Sequence, residues 1–237
     1  MAIFDTSKLY FDIDDWRTQE KTLFTYADII PWDDRIQFVA RSAGASLPSG
    51  FSSWTGVTVP NDTSIQEDVE YNYKYLVKLS DVHTYGVEKI TELIKANIAR
   101  LVGGAITSKM LTILTTSSSI SGQQGIDTAF VNNVLSREYY RRSTTQIILP
   151  FDNDKIDENG SYKGFPVVYT PYIKKPTSGT PFGSIVDVSQ IFVAEYQSNG
   201  VKVLEEAYSD YGAVAIVGKY KFKVGLKDKL AAVRFTI

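Results

Sequence analysis

One amphipathic stretch, from Gly86 to Leu114, constrains the fold of this chain more than any other part of the sequence. Its apolar residues recur at intervals of three and four, which is the period of one face of an α-helix: Val87, Ile90, Ile94, Ile98, Leu101 and Ala105. At 1.5 Å per residue such a helix is roughly 40 Å long, whereas helices in globular domains average about three turns. We therefore expect one long helix that forms a spine for shorter elements.

The ends and the middle of this helix carry further signals. Ser80, Asp81 and Thr84 precede it and are residue types that cap helices, and the Thr/Ser run after Leu114 predicts its end. The pair Gly103-Gly104 lies inside it, where each glycine costs about 1 kcal/mol relative to alanine. Either the helix bends or is approached by another backbone there, or the pair is a weak point that packing tolerates. The sequence leaves both interpretations open.

Period-two alternation and turn residues predict strands in most of the remaining chain. We expect strands over residues 35–41, 54–59, 70–79, 146–150, 164–169, 191–196, 201–204, 211–223 and 231–236. Within 211–223, lysines alternate with aromatic residues, which indicates one wet and one dry face. A second helix, capped by Asp127, would bury Ala129, Phe130, Val134, Leu135 and either Tyr139 or Tyr140. Together these elements predict an α+β fold.

The composition favours association over catalysis. The net charge is −2 without a basic stripe, which gives little support for nucleic-acid or membrane binding, and the absence of cysteine excludes disulfides and cysteine-ligated metals. The single histidine, His83, has no partner at the spacing of a triad or a zinc site. The acidic loop 152–160 fails the EF-hand pattern at Ile156 and Asp157. We expect no enzyme, no cofactor and no metal. Because carboxylates pair in space, a small hydrolase with two acids remains an alternative.

Two segments carry aromatic residues with no evident core of their own. Residues 1–24 suggest an extended arm, and a long Gly/Ser-rich hairpin around 42–53 would bury little surface within one chain. Since aromatic residues and arginine are enriched at protein interfaces, we expect intersubunit contacts from both segments. The candidate residues are Phe4, Tyr10, Phe11 and Trp16 in the arm, and Arg35, Phe38, Arg41, Phe51 and Trp54 in the hairpin.

Three segments, in their order along the chain, resemble the major capsid proteins of tailed bacteriophages. EYNYKYLVKLSDVHTYGVEKITELIKANIARLVGGAIT, beginning at Glu70, is similar to the strand that leads through a Ser-Asp step into the spine helix of that family. SYKGFPVVYTPYI, beginning at Ser161, resembles the Pro-Val-Val segment before a variable loop. SQIFVAEYQSNGVKVLEEA and YGAVAIVGKYKFKVGLKDKLAAVRF resemble the closing strands. The resemblance implies a Hong Kong 97-like fold, which encapsulin shells share.

The resemblance also implies an organisation of the chain. Residues 1–24 would be the N-terminal arm, and 25–79 the extended E-loop with the strand that follows it. Residues 80–118, with strands near 200–219 returning to them, would form the peripheral domain, and most of 119–237 the axial domain. Because no lysine occurs between Lys21 and Lys74, a lysine cross-link from the E-loop is not expected, and the shell would be non-covalent.

The function that the resemblance implies is self-assembly through pentamers and hexamers into an icosahedral phage head around double-stranded DNA. The expected partners are copies of the chain itself, a portal and decoration proteins. Since a methionine directly precedes the arm, scaffolding would be a separate protein or unnecessary. The location would be the virion, assembled in the host cytoplasm without a membrane. The alternatives are an encapsulin-like compartment that packages a cargo enzyme, the hydrolase mentioned above, and a monomeric β-rich binding module.

Overall fold

The computed structural model describes residues 3–20, 23–24, 26–32, 64–134, 140, 142–150, 159–170 and 182–237. Within them the α-helices are α1 (Ile13–Glu20), α2 (Leu79–Tyr85), α3 (Val87–Thr116) and α4 (Gly125–Ala129). The strands are β1 (Asp28–Pro31), β2 (Ile65–Lys78), β3 (Gly122–Gln123), β4 (Thr145–Leu149), β5 (Ser161–Tyr162), β6 (Phe165–Tyr169), β7 (Phe182–Asp187), β8 (Ile191–Glu195), β9 (Gly200–Leu204), β10 (Ala213–Leu226) and β11 (Ala232–Thr236). Short 3₁₀ turns connect several of these elements.

The long helix is confirmed as α3, which has 30 residues. It begins after Gly86, whose φ of 81° separates it from α2. Ser80 and Asp81 lie inside α2, so the prediction that they cap the long helix is wrong. Of the six predicted apolar positions, Ile90, Ile94 and Ile98 are buried and the other three are partly buried, and α3 packs against β2 and β10. Although α3 is long and apolar enough to cross a membrane, half of its most apolar window is buried within the protein, as in a core helix.

The surroundings of Gly103 explain why a glycine occurs inside α3. A Cβ atom at this position would lie 2.0 Å from Nε1 of the Trp16 indole. The close approach therefore exists, but it comes from a side chain of the N-terminal segment and not from another backbone. Gly103 is required because only a residue without a side chain leaves room for the ring.

The larger of the two cores lies between α3 and a five-stranded sheet with the order β1-β8-β10-β2, in which β9 also pairs with β10. β10 pairs with β2 over all 14 residues of each strand. The predicted alternation in β10 is confirmed, since Tyr220 and Phe222 are buried while Lys219 is exposed. The inner side chains of this sheet face α3, and the outer face carries charged residues such as Asp68, Glu70 and Lys219 together with some apolar ones.

A second sheet, of six strands, has the order β3-β11-β7-β4-β6-β5. With α4 it encloses the smaller core, to which the predicted residues Ala129, Phe130 and Val134 contribute. Asp127 lies inside α4 and not at its cap, so that part of the prediction is wrong. Leu135 lies outside the described residues. The two sheets and the helices confirm the α+β class.

Candidate assembly surfaces

The described part of the N-terminal segment, which the sequence predicts to be an arm, is folded onto its own chain. It contains a 3₁₀ turn (Thr6–Leu9) followed by α1. Phe4, Phe11 and Trp16 are only 1%, 2% and 3% exposed. Phe11 packs edge-on against Tyr220 and Phe222 of β10, with ring centroids 5.8 Å apart in both pairs. The assumption that these aromatics lack a core of their own is therefore wrong.

Backbone hydrogen bonds hold the same segment in place. The Phe11 N–H donates to the Tyr220 hydroxyl oxygen at 2.7 Å, and the Ile3 N–H donates to Glu205 Oε1 at 2.6 Å. These bonds join residues more than 200 positions apart in the sequence. Because the side chains of Phe4, Phe11 and Trp16 are already buried, they offer almost no surface to a neighbour. Their predicted contact with another subunit stays a prediction.

Tyr10 is the least buried of the four predicted arm residues. Its hydroxyl donates to Glu195 Oε1 at 2.5 Å, at the end of β8. Burial, and secondly this hydrogen bond to a carboxylate, raise the pKa of Tyr10 above its ordinary value of 10. The hydroxyl therefore stays protonated and donating in neutral solution. Tyr10 is thus held in its present position, where one part of its ring remains accessible.

The five candidate residues of the hairpin, Arg35, Phe38, Arg41, Phe51 and Trp54, lie outside the described residues. The points where this segment leaves and rejoins the sheet are described. Trp32, after β1, stacks on Tyr196 with ring centroids 5.0 Å apart, and its N–H donates to the Glu195 carbonyl at 2.8 Å. Sequence reasoning did not single out Trp32, since no periodicity marks it.

The ammonium group of Lys223 contacts residues on both sides of the segment 33–63. Lys223 Nζ lies 3.8 Å from the centroid of the Trp32 ring and 3.7 Å from Asp68 Oδ1 of β2. The Tyr196 hydroxyl donates to the same Asp68 oxygen at 3.4 Å. A cation over an aromatic ring contributes about 0.5–1 kcal/mol at exposed sites. We call Trp32, Asp68, Tyr196 and Lys223 the loop-base cluster, because it links β1 to β2 where residues 33–63 begin and end.

A second surface lies at the opposite end of the sheet, where the Leu79 N–H donates to the Gly212 carbonyl. The elements that meet or begin at this end carry four exposed apolar side chains: Leu76 at 56%, Tyr85 at 65%, Leu204 at 39% and Tyr211 at 82%. We call these four residues the distal tip. Leu76 and Leu204 both pair in register with Ala215, so they flank it on the outer face. Exposed apolar groups of this kind mark interaction sites.

Sequence reasoning missed the distal tip although a signal was present. The segment Tyr208–Gly212 was assigned in part to a strand, but it ends in Gly212 with φ of 58° and forms a 3₁₀ turn (Glu206–Tyr211). A Ser-Asp pair before glycine is typical of a turn. An aromatic residue in such a turn is exposed unless another element covers it, and this would have indicated Tyr211.

The described residues give little support to catalysis. His83 lies exposed on α2, and no group of three or more His, Cys, Asp or Glu side chains among the described residues could hold a metal ion. A groove of about 950 Å³ between the N-terminal segment and α3 includes Asp5, Glu88 and Glu92. The Ser7 hydroxyl and then its N–H donate to Asp5 and lower the pKa of its carboxyl group. A general acid needs the opposite shift, so the groove does not favour the hydrolase.

The comparisons with solved structures identify the fold. A chain of the satellite phage P4 procapsid matches with a TM-score of 0.57 and 10% identity, covering 94% of this chain and 97% of that one. The capsid of an empty GTA particle matches with a TM-score of 0.60 and 12% identity, over 91% and 89%. A virus-like particle from Pyrococcus furiosus matches with a TM-score of 0.54 and 12% identity, over 97% and 96%.

No protein-family profile and no curated protein matches the sequence. The structural likeness extends over nearly the whole length of both chains. At 10–12% identity this likeness establishes architecture. The chain thus has the Hong Kong 97-like fold of phage major capsid proteins.

Proposed function

We propose that this chain is a capsid shell subunit, the major capsid protein of a phage head. The observation that supports this most strongly is the match to capsid structures over more than nine-tenths of the chain. The exposed distal tip supports it too, since aromatic side chains exposed to 65% and 82% are expected where a partner covers them. The role is structural, and catalysis is not part of it.

In this proposal the subunits assemble through pentamers and hexamers into an icosahedral shell around double-stranded DNA. Residues 1–24 form the N-terminal arm and 25–79 the E-loop with β2. Residues 80–118 and the strands near 200–219 form the peripheral domain, and most of 119–237 the axial domain. A separate scaffolding protein, a portal and decoration proteins are the further partners, in the virion and, during assembly, in the host cytoplasm.

The energetics of such a shell are cooperative. Each subunit in a closed symmetric assembly makes the same contacts with several neighbours, so modest interfaces suffice. Burial of apolar surface contributes about 25 cal/mol per Å². Without a lysine between Lys21 and Lys74 the E-loop cannot supply a lysine cross-link, and the shell is held by these contacts alone.

Deletion of residues Gly44 to Gly50 tests the role of the hairpin. These residues belong to the segment whose two ends the loop-base cluster joins, so the deletion leaves the two described cores intact. The variant is expected to remain a soluble folded subunit but to form no shells in negative-stain electron micrographs. A replacement of the same seven positions by a Gly/Ser sequence of equal length is the matched control for loop length. Normal shells from the deletion variant would contradict the role assigned to the hairpin.

An encapsulin-like compartment is the second candidate, and the match to the virus-like particle from Pyrococcus furiosus over 97% of this chain favours keeping it. The contents of purified particles separate the two. Nuclease-protected double-stranded DNA with portal and tail proteins identifies a phage head. A single co-purifying enzyme protected from protease identifies a cargo compartment.

A further inference from the structure

One side of the five-stranded sheet is a long open edge, which β2 forms. β2 has 14 residues and, among the described residues, pairs only with β10. At about 3.4 Å per residue this edge is roughly 45 Å long. Long open edges are templates for pairing with another strand, and natural proteins shorten or cover them. An edge of this length therefore needs an explanation.

The geometry of β10 identifies the β2 residues that point outward. The Tyr196 N–H donates to the Lys221 carbonyl and the Lys227 N–H donates to the Gln190 carbonyl, so odd-numbered residues of β10 direct their backbone groups toward β8. Even-numbered residues of β10 consequently bond to β2, where the register pairs them with odd-numbered residues. The even-numbered residues of β2, from Gln66 to Lys78, direct their N–H and C=O groups to the open edge.

The side chains of these outward residues have a charge order that complements itself. Asp68 and Glu70 come first, Asn72 is in the middle, and Lys74, Leu76 and Lys78 follow; all six are exposed, and Asp68 would face Leu76 of the second copy. In an antiparallel pair of two β2 strands centred on Asn72, each Glu70 lies opposite Lys74 of the second copy. A parallel pair in register would place like charges side by side, which is destabilising. The pattern therefore selects the antiparallel arrangement, which has two-fold symmetry.

Among the described residues, the outward side chains of β2 also contact their own chain. Glu70 lies 3.6 Å from Lys219 and Asp68 lies 3.7 Å from Lys223, both across the outer face of the sheet, and Lys74 Nζ lies 4.3 Å from the centroid of the Tyr208 ring. Ion pairs of exposed side chains contribute little, typically below about 1 kcal/mol. Moreover, the open backbone groups of β2 point along the plane of the sheet, away from these lysines. No described strand covers the edge beside them.

The helix above the edge is also placed for a second copy. α3 runs beside β2, because Asn97 Nδ2 donates to the Tyr75 hydroxyl at 2.8 Å and Lys109 Nζ lies 3.0 Å from Glu67 Oε2. Leu93, one turn before Asn97, is 59% exposed. Because α3 packs against β2 and β10, a two-fold axis at Asn72 places the α3 helices of the two copies on the same face of the joined sheet.

We propose that the open edge of β2 is a two-fold contact at which a second copy of this chain adds its own β2 in antiparallel orientation. Two five-stranded sheets then become one continuous sheet of ten strands. The Asn72 residues of the two copies face each other, and Glu70 of each lies opposite Lys74 of the other. The proposal goes beyond the shell function, since a pair of chains joined in this way needs no closed shell.

A single introduced thiol tests the contact. The chain has no cysteine, so Asn72→Cys creates the only one. Residues opposite each other in hydrogen-bonded antiparallel pairs have Cα atoms about 5.5 Å apart, within the range of a disulfide. Mild oxidation of the purified chain should link more than half of it into dimers. Lys219→Cys is the matched control: Lys219 pairs with Asn72 in register on β10, and its two copies would lie roughly 14 Å apart. Equal cross-linking of both variants, or of neither, would overturn the proposal.

Charge reversal tests the register. Glu70→Lys and Lys74→Glu should each weaken dimerisation about tenfold in sedimentation equilibrium, because each places like charges opposite one another twice. The double variant, Glu70→Lys with Lys74→Glu, should restore the wild-type affinity. If the two residues had separate structural roles, the losses of affinity in the two single variants would instead add. Failure of the double variant to recover would overturn the register. If the chain forms shells but Asn72→Cys does not cross-link, only this contact is overturned. If Asn72→Cys cross-links into dimers but the chain forms no shells, only the proposed function is overturned.

Discussion

The N-terminal segment and the distal tip are both rich in large apolar side chains, but those of the segment are buried and those of the tip are exposed. Trp16 and Phe11 are 3% and 2% exposed, whereas Tyr85 and Tyr211 are 65% and 82% exposed. The difference arises from what faces each segment. α3 leaves space at Gly103 for the Trp16 indole, and Tyr220 of β10 accepts a hydrogen bond from the Phe11 N–H. No comparable surface among the described residues covers the tip.

The comparison shows that aromatic content does not by itself identify an assembly surface. A terminal segment without clear periodicity can still be part of the core when a distant element offers a matching cavity. A short turn between two strands can instead hold its aromatic residues in solvent. The distal tip and the open edge of β2 are therefore stronger candidates for interfaces than the N-terminal segment.

Removal of the Trp16 side chain should have the largest effect. Truncating a buried aromatic residue to alanine costs about 3–5 kcal/mol, and Trp16→Ala would lower the free energy of unfolding by that amount in urea denaturation of the subunit. Tyr211→Ala is the matched control, since it removes an aromatic ring that is 82% exposed, and it should change stability by less than about 0.5 kcal/mol. Equal stability of both variants, with shells lost only for Trp16→Ala, would show that the segment acts between subunits.

Gly103→Ala should come next, because its Cβ would lie 2.0 Å from Trp16 Nε1. Overpacking of this kind costs about 1–3 kcal/mol. In a Trp16→Ala background the clash disappears and alanine gains helix propensity, so the same substitution should become neutral or stabilising by up to about 1 kcal/mol. Thermal or urea unfolding of the four proteins measures this coupling. An additive double variant would show that Trp16 does not occupy the space at Gly103.

Changes at the distal tip should affect assembly and leave folding unchanged. Tyr211→Ala is expected to raise the subunit concentration needed for shells about tenfold, equivalent to about 1.4 kcal/mol. Its unfolding should match the wild-type chain within about 0.5 kcal/mol. Light scattering during assembly gives the threshold, and Ser209→Ala in the same turn controls for a general effect of the loop. An unchanged threshold for Tyr211→Ala would remove the tip from the interface.

The smallest effect is expected for the ion pair between the N-terminal segment and α3. Lys95 Nζ lies 3.4 Å from Asp15 Oδ2, and both side chains are about half exposed. Lys95→Ala should cost less than about 0.5 kcal/mol, since exposed ion pairs are screened by water and salt. A loss comparable to that of Trp16→Ala would mean that charge, and not aromatic burial, holds the segment.

Much of the fold could be predicted because the sequence carries local periodicity. The stripe from Val87 to Ala105 predicts α3, and the alternation around Tyr220 predicts the two faces of β10. β7 was not predicted because Ile185 and Val186 are both buried, so the strand shows no alternation. A run that is apolar on both faces is ambiguous without knowledge of its neighbours.

The candidate surfaces were harder to predict because exposure is a property of the whole fold. A turn signal marks Tyr211 in the sequence, whereas the burial of Trp16 depends on its contact with Gly103, which only the fold reveals. The open edge of β2 follows from strand order, which local patterns do not determine. The hairpin residues, including Phe51 and Trp54, lie outside the described residues and stay predictions.

The central claim is that copies of this chain close into a shell. Sedimentation velocity of the purified wild-type chain, with negative-stain micrographs of the same sample, tests it most directly. The account predicts a boundary in the megadalton range and hollow particles of uniform diameter. A single species with the mass of one chain, at concentrations above those at which shell proteins assemble, would contradict it.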